Sequence, residues 1–370
     1  MKIAIFNPYH FELPGGVRDH IYWQSLELRK RGHSVTVITP RPRKHEETAP
    51  DGVVFMGVSM RIKGPGTNPD ISTTADQEEV DQFFRENKFD VVHLHEPVVP
   101  FMGRQLIASS PYPTVATLHA ALPDSGVGKT LGSIKPYFKS VLQHVDVLTR
   151  VSPAAGEYLE DMLIHKEVFD VPNGVHVSSY KRSHNRDPAT IVFIGRLEKR
   201  KGPKYLIQAF EEVKNQIPKA KLIIAGNGPD REKLELLVEQ LALKDVSFEG
   251  YVSEERKLEL LQRATVACYP AIYGESFGIV LVEALATGTP IVAGNNPGYS
   301  SVLQGRGKLC LVDPKNTYEF STRLLLLLQD PELRQMLSDW GVEYVKQFDY
   351  SIIVTKYEQV YKYAIKKHKK

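Results

Sequence analysis

The stretch KIAIFNPYHFELPGGVRDHIYWQSLELRKRGHSVTVITP, residues 2–40, decides the class of fold. Lys2 to Asn7 is a short β-branched run. Gly15 to His33 spaces its apolar residues as a helix does and stops at Gly32. Ser34 to Pro40 returns to a strand pattern. A strand, a glycine turn, a helix and a strand make one βαβ unit. Further strands follow at DVVHLHEP (90–97), PTVATLH (113–119) and VDVLTRVS (145–152), each ending in polar residues. This alternation predicts a parallel sheet with helices on both faces. Such sheets bind ligands at the carboxyl ends of their strands, here Asn7 to Gly16, His95 to Pro97 and His119.

The pattern then restarts. FDVPNGVHVSSYKRSHNRDPA (169–189) is polar and rich in Asn, Gly and Pro, and reads as a linker. TIVFIGRL (190–197) opens a second series of strands. It continues through AKLIIAGNG (220–228), VSFEGYV (246–252), VACYPA (266–271), TPIVAGNNPG (289–298) and KLCLVDP (308–314). The expected organisation is therefore one α/β domain over 1–170 and a second over 171–347. An amphipathic helix over 348–370 has no strand partner and is expected to pack back on the first domain.

Composition narrows the class. A 370-residue chain with 42% hydrophobic and 25% charged residues suits a globular protein of two domains. A net charge of +3 gives no electrostatic footprint for nucleic acid. Cys268 and Cys310 sit in apolar runs, too few and too far apart for a disulfide framework or a thiolate metal site. The opening apolar run is too short for a signal peptide, and no stretch reaches the roughly 20 apolar residues of a membrane span. A cytoplasmic protein is expected, at most peripheral to the inner membrane face.

Three segments carry candidate chemistry. Gly15 and Gly16 follow the first strand, where glycines admit a close ligand and a helix N-terminus offers free N–H groups to an anion. The spacing is not that of the dinucleotide fingerprint. GRLEKRKG (195–202) places Arg196 and Lys201 just past a strand, a planar fork and a point charge suited to a diphosphate. GESFGIVLVEALATGTP (274–290) holds Glu275 and Glu283, eight residues apart. On a continuous helix that is roughly 12 Å. Glycosidase carboxylates sit about 5–9.5 Å apart, so a hydrolase pair is disfavoured. The span instead suits the two polar ends of a nucleotide sugar, with Ser276, Phe277, Gly278 and Ile279 as the helix start facing the diphosphate.

In combination these segments are similar to those of glycosyltransferase family 4, the group 1 glycosyl transferases. GESFGIVLVEA resembles that family's E-x7-E motif, GRLEKRKG its phosphate-binding segment, PGGVRDH its N-terminal glycine loop and VPNGV its interdomain signature; HLHEP and TLH also match. The resemblance spans nearly the whole chain. It implies the GT-B fold, two Rossmann-like domains whose parallel sheets face across a cleft that holds the active site. It implies retention of anomeric configuration with no metal ion and no cofactor beyond the nucleotide sugar.

Position by position, the resemblance assigns the donor sugar hydroxyls to Glu275 and the ribose to Glu283. It assigns the leaving diphosphate to Arg196 and Lys201, the β-phosphate to the Gly15–Gly16 backbone, and the sugar near its anomeric carbon to His119. Within the family the motifs resemble those of bacterial phosphatidylinositol mannosyltransferases. That implies GDP-mannose as donor and a lipid-linked polyol or glycan such as phosphatidylinositol as acceptor, met by Tyr9 and Arg18. Glu254, in GYVSEERK, is placed to accept from a guanine edge. Its alternative reading is the first turn of a surface helix capped by Ser253.

Departures fall on the acceptor side. Val98 stands where that group carries Asn, Ala120 where it carries Thr, and Asp124 where it carries Lys. DQEEVDQFFREN (76–87) is acidic where the group has a basic lipid-facing helix. A UDP-sugar enzyme with a soluble or polysaccharide acceptor is the alternative, and a non-catalytic sugar-nucleotide binder a further one. No acid/base carboxylate pair of an epimerase and no pyridoxal lysine context of a phosphorylase is recognisable.

Overall fold

A computed structural model describes residues 1–10, 15–42, 49–61, 70–121 and 127–369, with 127–134 described by backbone alone. The chain divides into two compact units, Met1–Gly174 with Tyr350–Lys370, and Val175–Asp349.

The first unit contains β1 (Lys2–Phe6), α1 (Gly16–Lys30), β2 (Ser34–Arg41), β3 (Val53–Arg61), β4 (Asp70–Ser72), α2 (Gln77–Glu86), β5 (Val91–His95), α3 (Met102–Ser109), β6 (Thr114–Leu118), α4 (Val127–Leu142), β7 (Val147–Arg150), α5 (Glu160–Leu163) and β8 (Val168–Asp170). Its eight strands run β4-β3-β2-β1-β5-β6-β7-β8. All neighbours are parallel except β3 and β4. The β-branched strands β1, β5, β6 and β7 are buried on both faces, as strands covered by helices must be. β3, β4 and β8 were not legible as strands. β3 is interrupted by Gly57 and only partly buried, and β4 and β8 are three residues each. β8 also turns the first residues of the expected linker into part of the sheet.

The second unit contains β9 (Thr190–Ile194), α6 (Pro203–Gln216), β10 (Lys221–Ala225), α7 (Arg231–Gln240), β11 (Val246–Gly250), α8 (Glu254–Arg263), β12 (Val266–Tyr269), α9 (Ile279–Ala286), β13 (Ile291–Gly294), α10 (Pro297–Val302), β14 (Leu311–Val312), α11 (Thr317–Gln329) and α12 (Pro331–Tyr344). Its strands run β11-β10-β9-β12-β13-β14, all parallel. The segment expected as strand KLCLVDP is strand only at Leu311–Val312, because Gly305–Cys310 winds into a 3₁₀ turn. Cys268 and Cys310 are both free and buried.

In both units strand order reverses beside the first strand, between β1 and β5 and between β9 and β12. The carboxyl ends of those pairs form the crevice where open parallel sheets bind ligands.

The last helix, α13 (Tyr350–His368), belongs to the first unit. It buries Ile353, Val354, Tyr357, Val360, Tyr361 and Ala364, the i, i+3, i+4 stripe of an amphipathic helix. These pack with Ile3, Ile5, Ile21, Leu28, Val91, Val115 and Val147 in one apolar cluster. Among the described residues no helix is long and apolar enough to cross a membrane.

Candidate active site

In the second unit β9 delivers Gly195 and Arg196 to its carboxyl end, and a 3₁₀ turn over Lys199–Lys201 follows. Gly202 closes that turn at φ +70°, and a Cβ there would lie 2.1 Å from the Pro270 carbonyl oxygen. Only glycine fits, so β12 and the cationic turn stay in contact. Lys201 Nζ lies 2.7 Å from Glu275 Oε1. Arg200 Nη1 lies 2.7 Å from the same oxygen, and its Nε lies 2.6 Å from Glu198 Oε1. Arg196 reaches Glu198 at 3.8 Å and keeps half its side chain exposed. Glu198 and Glu275 are buried, so two carboxylates and three cations form one network at the end of β9.

Glu275 precedes α9 rather than lying on it. The helix begins at Ile279, and Gly278 caps it at φ +91° in the left-handed region. The expected helix start at Ser276–Gly278 and the roughly 12 Å helical span between Glu275 and Glu283 are therefore corrected. The physical reason is close packing. A Cβ on Gly278 would lie 2.4 Å from the Tyr299 ring, and one on Gly298 would lie 2.0 Å from the Glu275 carbonyl oxygen. Phe277 is buried and meets Phe348 edge-on. Ile279 is the first helical residue, so α9 directs its free N–H groups along the Glu275–Gly278 loop.

Glu283 is buried on α9. It accepts from the Tyr180 hydroxyl at 3.0 Å and pairs with Lys257 at 2.8 Å. Lys257 also pairs with Glu254 at 2.7 Å. Burial opposes charge on Lys257, but the carboxylates of Glu283 and Glu254 hold it above the ordinary lysine range. Glu254 is 78% exposed in the first turn of α8, and Ser253 caps that helix by accepting from the Arg256 N–H. The capped-helix reading of this segment thus describes its backbone, while Lys257 ties Glu254 to Glu283.

In the first unit Gly15 and Gly16 precede and open α1 with no described atom within 4 Å of a Cβ on either. Strands β5 and β6 deliver His93, His95 and His119, α1 adds His20 and Gln24, and α13 adds Tyr357 and Tyr361. His95 Nδ1 and His119 Nε2 share a hydrogen bond of 2.8 Å. His93 bonds Tyr361 at 2.8 Å and Thr117 at 2.7 Å, and His20 bonds Tyr357 at 3.2 Å. Burial pushes His20 and His93 down to about 3 and holds His95 and His119 well below the usual histidine range. All four rings are neutral at pH 7. His20, His95 and His119 each bring a ring nitrogen within 4.8 Å of the others. His95 and His119 already bond each other, so one ring nitrogen of each is engaged within the trio.

Tyr9 sits beyond β1. Its N–H donates to Asn7 Oδ1 at 3.2 Å and its carbonyl accepts from Thr39. Burial and the nearby Glu96 raise its phenol far above the usual range. Arg18 pairs with Asp19 at 2.6 Å and lies 6.0 Å from the Tyr22 ring centre. Val98 is buried and Ala120 exposed, and Asp124 lies outside the described residues.

Comparison with known proteins follows the same two units. The family description "Glycosyltransferase Family 4" matches residues 14–179, and "Glycosyl transferases group 1" matches 178–342. The Mycobacterium leprae protein named phosphatidyl-myo-inositol mannosyltransferase is 31% identical over 98% of this chain and 96% of its own length. The chain belongs to the group 1 glycosyltransferases. The protein of that name from Mycolicibacterium smegmatis is 30% identical over 98% of this chain and 93% of its own. The sucrose-phosphate synthase from Thermosynechococcus elongatus superposes with a TM-score of 0.76 at 19% identity, covering 98% of both chains, and so shares the GT-B fold.

For a group 1 glycosyltransferase, the network shows which neighbours the sequence motifs need. Glu275, Lys201 and Arg196 were named from sequence, and the structure joins Glu275 to Lys201 directly. It adds Arg200 and Glu198, which the charge run EKRK disguised as a solvated turn. It adds Tyr180 and Lys257 beside Glu283, which nothing local signals. It also gives a partner to Glu96, which lies just after β5 within the His95–Pro97 strand end named from sequence: its carboxylate accepts from the His119 N–H.

Proposed function

We propose that this glycosyltransferase transfers mannose from GDP-mannose, with retention, to a polyol headgroup on a lipid, phosphatidylinositol first among them. The observation that supports this reading is the likeness to the mycobacterial relatives, which runs through both units rather than the donor half alone. In the second unit Glu275 receives the mannose hydroxyls, Glu283 the ribose, and Glu254 the guanine edge. Arg196, Lys201 and the α9 N-terminus, with Ser276, Phe277, Gly278 and Ile279, hold the diphosphate. In the first unit Gly15 and Gly16 present N–H groups to the β-phosphate. His119, a neutral imidazole, hydrogen-bonds the sugar near its anomeric carbon. Tyr9 and Arg18 meet the acceptor.

The bond from the anomeric carbon to the diphosphate oxygen breaks, and the acceptor oxygen attacks from the same face. The leaving phosphate takes the acceptor's proton. Stabilising the charge on that phosphate is the principal catalytic lever, and the fixed cations supply it without reorganisation. An acceptor in a lipid surface would make the enzyme peripheral at the inner membrane face.

One observation favours a second reading, a UDP-sugar donor with a soluble or polysaccharide acceptor. The exposed face of α2 carries Glu78, Glu79 and Glu86, which repel an anionic surface. Calorimetric titration with GDP-mannose, UDP-glucose and UDP-N-acetylglucosamine decides between the two. Tight binding of GDP-mannose alone is expected. Binding of a UDP-sugar with none of GDP-mannose overturns the mannosyl assignment.

A further inference from the structure

We propose that Glu96 is a positioning residue, whose carboxylate fixes the backbone that carries His119. The proposal rests on the reading that His119 touches the donor sugar.

Glu96 follows β5 at φ +49°, a backbone region that a glutamate adopts only under strain, and it is 3% exposed. Its own N–H donates to the Thr117 carbonyl at 2.8 Å, continuing the β5–β6 ladder by one residue. The left-handed turn sends the carboxylate across to the end of β6. There Oε1 accepts from the His119 N–H at 2.5 Å, and the Ala120 N–H also bonds the carboxylate. Neighbouring residues thus hold His119 by two handles. His95 takes its ring and Glu96 takes its main chain.

Beyond the His119 and Ala120 N–H groups, no contact of the carboxylate with a described residue requires a charge at this position. Burial disfavours its charge and pushes it up to about 7, although both N–H donors pull the other way. A glycine would relieve the backbone, and a glutamine would fill the space without a buried charge. A residue that is strained and costly to ionise, yet aimed at the two N–H groups of the His119 turn, is placed for what those groups carry.

The described titratable groups on which the carboxylate acts, and the histidines beside it in sequence and in the network, stay neutral at pH 7. Tyr9 after β1 and Tyr158 from the turn before α5 are raised by burial and by Glu96 itself. His95, His119, His93 and His20 are lowered by burial. Glu96 alone among them changes charge near neutrality. Its carboxylate is present above about pH 7 and lost below it. The hold on His119 is therefore full at alkaline pH and weakens as pH falls.

The test uses the full-length enzyme with Glu96→Gln and Glu96→Gly. Glu96→Gly removes both strain and carboxylate. Relief of strain offsets the two lost hydrogen bonds, so its melting temperature should stay within a few degrees of the wild type, while kcat falls 10- to 100-fold at unchanged KM for the donor. Glu96→Gln keeps one acceptor oxygen and should retain more activity. It should also lose the decline in kcat that the wild type shows as pH falls through about 7. Hydrogen exchange at the His119 and Ala120 amides, read by NMR, should quicken in Glu96→Gly. That readout needs no substrate, so it stands even if no mannosyl transfer is found. Wild-type exchange at both amides in Glu96→Gly overturns the proposal. So does a pH profile unchanged in Glu96→Gln.

Discussion

Lys201 and Glu275 form an ion pair of 2.7 Å, although the first is expected to serve the diphosphate and the second the sugar. On the roles proposed for them, the cation assigned to the leaving group is held here by the carboxylate assigned to the sugar. Arg200 shares the same oxygen, so Glu275 keeps a partner if Lys201 turns to phosphate. On the proposed roles, donor binding would be an exchange of partners inside a charge network that exists beforehand, which would limit the reorganisation at the moment of reaction.

The pair makes a direct prediction. Lys201→Ala and Glu275→Gln should each lower kcat by at least about 100-fold, the scale of losing one preorganised charge contact. Both side chains retain some solvent contact, and Glu275 keeps Arg200, so the fold should survive with a melting temperature within a few degrees of the wild type. Turnover with a donor of verified binding, measured beside a thermal melt, checks this. Near-wild-type turnover in either variant removes the assigned roles.

What was legible in the sequence was what is local. Two series of β-branched strands announced the two sheets, and the E-x7-E segment singled out Glu275 and Glu283, which the structure places in two ion-pair networks. The helix start at Ile279 was misplaced because the left-handed turn at Gly278 is set by Tyr299, 21 residues on, and no local pattern encodes it. Arg200 was missed because a run of four charged residues looks the same whether it faces water or a buried carboxylate. The histidine network was missed for a third reason. His20, His93, His95, His119, Tyr357 and Tyr361 come from α1, β5, β6 and α13, and only tertiary packing brings them together.

A second prediction concerns metal ions. Arg196, Arg200 and Lys201 bring three positive charges to the end of β9, able to do for the diphosphate what a divalent cation would do. Transfer should therefore persist in excess EDTA at its full rate. A rate that collapses in the chelator and returns with manganese would show that these side chains do not do that work.

The third prediction tests how α13 supports the first unit. The Tyr361 hydroxyl accepts from Gln24 Nε2 at 3.0 Å and bonds His93 Nδ1 at 2.8 Å. His93 in turn bonds Thr117, two residues before His119, at 2.7 Å. Tyr361→Phe keeps the ring and its packing and removes only the hydroxyl. It leaves Gln24 Nε2 and His93 Nδ1 with only their long mutual contact of 3.4 Å, a loss of up to about 1–3 kcal/mol, the cost of an unsatisfied group. For a unit of this size that lowers the melting temperature by about 2–4 °C per kcal/mol. The hydroxyl bonds Gln24 and His93, neither of which is assigned to the donor, so the calorimetric dissociation constant for GDP-mannose should stay within about threefold of the wild type. An unchanged melting temperature would mean that the hydroxyl's bonds are replaced by water and that α13 holds the unit through its apolar stripe alone. A weakened donor affinity at full stability would mean instead that Tyr361 acts on the donor and not on the histidine network.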